Sequence, residues 1–176
     1  MNEQKDTTLS LPIKFKLKDV LRYNTSVASK NIVNCIVMAV GVGVLAYFFY
    51  KMFTTGERVD VFVANHIVLL LVPILIFVMI PWRVWKITAT QMQQPAFAYG
   101  VTYTFSPEHI VLDIGEASEE MSWDIFVKVV ETKYDFRLYV NAISAQIIPK
   151  HNMSKEQLET LREIIRSAAP NRSQLR

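Results

Sequence analysis

A chain of 176 residues with a formal net charge of +3 has room for one compact domain of roughly 100 residues and a few further elements. The charge is divided: residues 1–94 hold 10 Lys+Arg against 5 Asp+Glu, and residues 95–176 hold 9 against 11, so no concentrated basic face exists of the kind that nucleic-acid binding requires. A single cysteine, Cys35, excludes an intramolecular disulfide and a cysteine-cluster metal site.

Residues 1–30 read as a polar cytoplasmic tail. Within it, LPIKFKLKDV alternates Ile13, Phe15 and Leu17 with Lys14, Lys16 and Lys18, the period of two that marks a half-buried strand. Asp19 is placed to cap a short juxtamembrane helix, VLRYNTSVASK. The lysine face has two uses: lying on anionic lipid at about 1 kcal/mol per charge, or blunting the edge of a distal sheet that the strand extends.

Residues 31–50, NIVNCIVMAVGVGVLAYFFY, carry no formal charge and form about 30 Å of helix, the thickness of a hydrocarbon core. They are the first predicted transmembrane helix. The tail ahead of them is longer and more polar than the charged start of a signal peptide. Within this span Cys35, Ala39, Gly43 and Ala46 recur at spacings of 4, 4 and 3 and make one face of small residues. Such a face lets two backbones approach closely, either the second span or the same helix in a homo-oligomer.

Residues 51–60 form the predicted external loop, and residues 61–80, VFVANHIVLLLVPILIFVMI, the second span. His66 is ionisable within it and on that ground a functional suspect, but it is the sixth residue of the segment and follows Asn65, a position near the outer interface. Pro73 is a candidate kink. Trp82 and Trp85 interleaved with Arg83 and Lys86 make an interfacial belt of amphipathic rings and cations. Lys5, Lys14, Lys16, Lys18, Arg22 and Lys30 precede the first span and Arg83 and Lys86 follow the second, whereas Lys51 and Arg58 in the loop are offset by Glu57 and Asp60. Positive charge therefore predicts both termini in the cytoplasm of a multi-pass inner-membrane protein.

Residues 95–170 read as a cytoplasmic β-domain with a closing helix. Six short strands are expected in AYGVTYTF, IVLDI, MSW, FVKVVET, FRLYVN and AQIIPK, with an acidic turn at GEASEE and a corner at Asp124. Their spacing describes an antiparallel meander. In SKEQLETLREIIRSAAP, Ser154 and Gln157 have capping-box spacing, and Leu158, Leu161, Ile164 and Ile165 form an apolar stripe to cover the sheet.

The order of Tyr103, Phe105, Trp123, Ile125, Val129, Glu131, Phe136, Leu138, Tyr139, Ile148, Pro149 and Lys150, ending in that helix, resembles the C-terminal domain of the YcxB-like family of bacterial membrane proteins. The two spans and the strand-like tail fit as well. The resemblance implies a fold like that of pleckstrin-homology domains, a curved sheet capped by a C-terminal helix. It carries no established catalytic residues to this chain.

Independent motifs for chemistry are missing. His66, His109 and His151 share no ligand spacing, so no metal site is expected; Glu116, Glu119 and Glu120 read as a solvated turn; and no glycine-rich phosphate loop or nucleophile elbow occurs. No catalytic residue and no cofactor is therefore expected. Trp123, Pro149 and Lys150 have two readings: core and strand end, or a candidate binding surface. The fold class is a membrane α+β protein in which a two-helix hairpin precedes a small antiparallel domain. Its expected function is non-enzymatic, an interaction or regulatory module whose partners are the lipid bilayer and another protein. An immunity protein against a membrane-acting toxin is the alternative, and a channel or transporter component the third.

Overall fold

Pro12 lies inside the first strand, β1 (Leu9–Ile13), which is tolerable because the strand occupies a sheet edge. In the computed structural model, which describes residues 8–175, β1 pairs antiparallel with β2 (Val101–Phe105), Leu9 opposite Phe105 and Ile13 opposite Val101. Residues 14–100 are thus an insertion between paired strands. Lys5, counted in the basic tail, lies outside the described residues.

The chain divides into a β-unit, made of the residues up to Val20 and from Thr90 on, and a helical unit, Leu21–Ala89. In the β-unit, β1, β2, β3 (His109–Ile114) and β4 (Ala117–Ser122) form one antiparallel sheet in that order. A single 3-10 turn at Trp123–Ile125 then leads to a second sheet, ordered β7-β6-β5-β8. Here β5 (Lys128–Glu131), β6 (Asp135–Tyr139) and β7 (Ala145–Pro149) are antiparallel, and β8 (Ser173–Gln174) runs parallel to β5. The expected six-stranded meander is therefore two four-stranded sheets around one core.

That core takes alternate residues of both sheets, Leu11, Ile13, Tyr103, Phe105, Val129, Phe136 and Leu138 among them, and the Leu161, Ile164 and Ile165 face of the closing helix α6 (Lys155–Ala168). The helix starts as its sequence prescribes. The Ser154 hydroxyl accepts from the Gln157 N–H, and the Gln157 side chain accepts from the Ser154 N–H.

Two expectations fail here for identifiable reasons. The edge strand lies upstream of the lysine alternation, because the ladder ends at Ile13, with Leu11 and Ile13 fully in the core and Leu17 exposed; Lys14, Lys16 and Lys18 fall outside β1 and cannot blunt its edge. The segment read as an acidic turn is largely a strand: only Gly115 and Glu116 turn, while Glu119 and Glu120 stand exposed on β4, the charged edge of its sheet. Gly100, at φ +89, is required where the insertion re-enters, since a Cβ there would lie 2.7 Å from the Ile13 carbonyl oxygen.

The α1 helix (Leu17–Lys30) is followed by two long apolar helices, α2 (Ile32–Thr55) and α4 (Ile67–Gln91). Asn31 caps α2 by accepting from the Val33 and Asn34 N–H groups, and Gly56, at φ +67, ends it. The predicted ten-residue loop contracts, because α2 continues to Thr55 and a short helix, α3 (Val59–Asn65), opens the second segment. The break falls at His66, not Pro73, and α4 runs unbroken through Pro73 and Pro81. His66 N–H donates to the Phe62 carbonyl, and the imidazole stacks on the Phe62 ring at 4.2 Å.

α2 and α4 are long and apolar enough to cross a membrane, and only 11% of the most apolar window of each is buried. A core helix of a soluble protein would be mostly covered. Along α2 the inward residues are Gly41 and Phe48: a Cβ on Gly41 would sit 3.3 Å from Ile76, and Phe48 packs on Phe62. Cys35, Ala39, Gly43 and Ala46 are all exposed, and a Cβ on Gly43 would meet nothing within 4 Å. Packing of that small-residue face on the second span is thereby overturned.

Candidate functional site: a buried charge cluster and a clasp on the linker

β5 alternates Lys128 out, Val129 in, Val130 half-out and Glu131 in, so strand parity carries a carboxylate into the core. Glu131, whose side chain is fully buried, accepts from Lys150 Nζ at 2.5 Å and from Arg162 Nη2 at 2.5 Å, while Arg162 Nε spans both carboxylate oxygens at 3.1 and 3.2 Å. Lys150 also donates to the Thr132 carbonyl at 2.6 Å and lies over the Phe136 ring. Arg162 makes a further bond to Glu159. Hydrogen bonding to Glu131 holds the Arg162 guanidinium above its ordinary range.

A second buried pair stands on β6. Asp135 Oδ1 accepts from Arg137 Nε at 2.9 Å and from the Thr132 hydroxyl at 2.7 Å, and Asp135 Oδ2 is buried with no hydrogen-bond partner among the described residues. Burial pulls the Arg137 guanidinium down, but its bond to Asp135 outweighs this and leaves it above its ordinary range. These charges are aimed at one another, and what they join is β5, the β5–β6 turn, β7 and α6.

The single 3-10 turn after β7, Lys150–Asn152, continues the network residue by residue. Lys150 holds Glu131. His151 Nε2 lies 2.8 Å from Asp19 Oδ2, which also accepts from the Lys16 N–H and thereby satisfies the start of α1. Asp19 is thus in the first turn, not at the cap position expected of it. Asn152 bonds Lys14 in both directions, Oδ1 accepting from its N–H and Nδ2 donating to its carbonyl, each at 3.2 Å. Two consecutive side chains, His151 and Asn152, therefore fasten the segment leaving β1. Phe15 packs on Phe97 with the rings tilted at 48° and their centroids 4.8 Å apart, which ties the outgoing segment to the returning one.

The candidate binding surface does not form. Trp123 is 3% exposed, donates its indole N–H to the Ser106 carbonyl at 2.8 Å and packs between Phe105 and Phe126. Pro149 is buried at the end of β7, and Lys150 is committed to Glu131. Exposed apolar side chains gather elsewhere: Ile125, Val127, Val140 and Ile143 lie at the end of the second sheet opposite Glu131, brought together by bonds from the Val127 N–H to the Tyr139 carbonyl and from the Val140 N–H to the Ser144 carbonyl. Trp82, Arg83, Trp85 and Lys86 are exposed on α4.

In this core the capped α6 follows the pattern read from the sequence, with Ser154 and Gln157 capping each other. Residues 105–165 match the family model of YcxB-like protein. The YcxB-like segment runs from the last residue of β2 into α6 and includes Glu131, Lys150 and Arg162; β1, the apolar helices and β8 lie outside it. No curated protein and no solved structure matches the chain significantly. Among the described residues no group of three or more His, Cys, Asp or Glu is arranged to hold a metal ion.

Tyr103, on β2 just ahead of the matched segment, offers a pH test. Burial pushes its phenol up to about 12, and its hydroxyl donates to Gln146 Oε1 at 3.3 Å. The unfolded phenol ionises near pH 10, so this contribution to stability is complete below pH 10 and is lost as pH rises to about 12, by roughly 3 kcal/mol. Denaturant titrations from pH 9 to 12 are expected to show that loss in the wild type and not in Tyr103→Phe.

Proposed function

We propose that the chain is a non-enzymatic, membrane-anchored interaction module, in which α2 and α4 cross the bacterial inner membrane and present a β-unit of pleckstrin-homology-like architecture at its cytoplasmic face. The observation that carries this reading is the pairing of β1 with β2. Strands on either side of the two apolar helices are hydrogen-bonded neighbours, so whatever those helices cross, the chain must leave and return on the same side of it. The charge pattern favours the cytoplasmic side. Two antiparallel-rich sheets closed by α6 support the pleckstrin-homology-like reading. Anchoring raises the effective concentration of the β-unit toward partners on the same membrane.

The test is fractionation and labelling of the full chain in a Cys35→Ser background. Carbonate-washed membranes are expected to retain the protein, Glu57→Cys to react with an impermeant maleimide from outside, and Ser173→Cys to react only after permeabilisation. A protein left in the carbonate supernatant, or a Ser173→Cys labelled from outside, overturns the reading. Partner binding is to be mapped by cross-linking from Val127 and Ile143, the exposed apolar end of the second sheet.

A further inference from the structure

The helical unit contains an apolar groove of about 1100 Å³, walled by α1, the start of α2 and α4. Its volume is just above the range of about 300–1,000 Å³ for ligand sites. Along α4 it extends from Phe77 to Trp85, about 12 Å at 1.5 Å per residue. One end is polar, with Thr25, Ser29 and Asn34; the other is wholly apolar, with Met38, Phe77 and Val78. A second cavity of about 460 Å³ shares Ala28, Asn34, Ile80 and Val84 with the groove and adds Arg83, Asn24 and Asn31. An apolar slot with an adjoining polar recess has the chemistry of a hydrocarbon chain joined to a polar head.

Charge selects the head. Arg83 lines the recess and Lys30 ends the α1 segment beside it, and no Asp or Glu occurs between Leu21 and Thr55 or between Val61 and Gln94. The acids of the helical unit are Glu57 and Asp60, beyond the far end of α2, where Asp60 already pairs with Arg58. A second copy of the chain would bring further like charges, those of Lys30 and Arg83, to the recess. An anionic headgroup meets them directly, and Trp82 and Trp85, both well exposed along the groove, suit its level in the bilayer.

We infer that this groove binds one anionic phospholipid of the inner leaflet, an acyl chain between α1 and α4 and the phosphate against the recess that holds Arg83. The inference rests on the membrane reading above and adds a specific lipid to it.

The full chain is purified in mild detergent, stripped of lipid and mixed with equal amounts of phosphatidylglycerol and phosphatidylcholine of the same chain length. Native mass spectrometry then counts the lipids retained. One phosphatidylglycerol is expected in at least tenfold preference. Arg83→Gln, at an exposed position, is expected to reduce that preference about fivefold, the factor for one cation near a headgroup. Ala28→Phe, on the wall common to both cavities, is expected to abolish retention of either lipid with helicity unchanged. Equal retention of the two lipids, or a preference untouched by Arg83→Gln, overturns the inference, as does a stable dimer that keeps no lipid. Protein absent from carbonate-washed membranes overturns the anchoring itself; protein embedded there without an anionic preference overturns only the lipid site.

Discussion

A fragment that begins at Thr90 and contains the whole YcxB-like segment is expected to aggregate when produced alone, and to become a soluble, cooperatively melting domain when residues 8–20 are fused ahead of it through a flexible linker. The reason is β1. Leu11 is fully buried and Ile13 is 1% exposed, and each such side chain lost from a core costs about 2–5 kcal/mol. Those two alone approach the 5–15 kcal/mol by which domains of this size are stable. Removing β1 also uncovers β2, a strand of alternating buried Val101, Tyr103 and Phe105, as a free edge open to pairing with other chains. The fused segment restores the ladder from Leu9–Phe105 to Ile13–Val101 and the clasp from His151 to Asp19 and from Asn152 to Lys14. Size-exclusion profiles and thermal melts of the two proteins decide the matter. Cooperative melting by the fragment that lacks β1 would show that the sheet closes without it.

This dependence bears on what the sequence revealed. Two long uncharged stretches and an amphipathic, boxed helix are legible because each is a local pattern, read from hydropathy or from residues three and four apart. β1 is legible as an edge strand of the distal sheet but not in its bounds, since it contains a proline and a cleaner alternation lies beside it; β8, two residues long and made by a partner far along the chain, is not legible. The first four residues of β4, Ala117 to Glu120, read as a turn because edge strands carry the charges that turns also carry, whereas Met121 and Ser122 read as strand. The small-residue face of α2 followed a real periodicity but the wrong side, because packing on α4 uses Gly41 and Phe48. The charge cluster did leave a trace. Glu131 has the same parity as Val129, and Arg162 stands one turn after Leu158 on the edge of the apolar stripe, so two opposite charges were already aimed at the core. What a sequence cannot give is that their aims coincide.

The energetics of that coincidence yield the second large effect. Glu131→Ala leaves Lys150 and Arg162, whose side chains are only 15% and 16% exposed, facing each other across an empty site with no carboxylate between them. Breaking a buried ion pair from one side costs about 3–5 kcal/mol. The variant is therefore expected to lose most of the stability of the β-unit, read as a fall in the urea midpoint of the fused domain. Replacing all three charges together, Glu131→Leu with Lys150→Met and Arg162→Leu, should recover much of the loss, since an apolar trio leaves no charge to desolvate. The recovery would still be incomplete in one respect. Lys150 also holds the Thr132 carbonyl and lies next to His151 in the clasp, so the triple variant is expected to protect its core amides from exchange while the Lys14 and Lys16 amides exchange faster. Slow exchange throughout would mean that the clasp stands without the cluster. Loss of protection throughout would mean that the charges specify the fold as well as stabilising it.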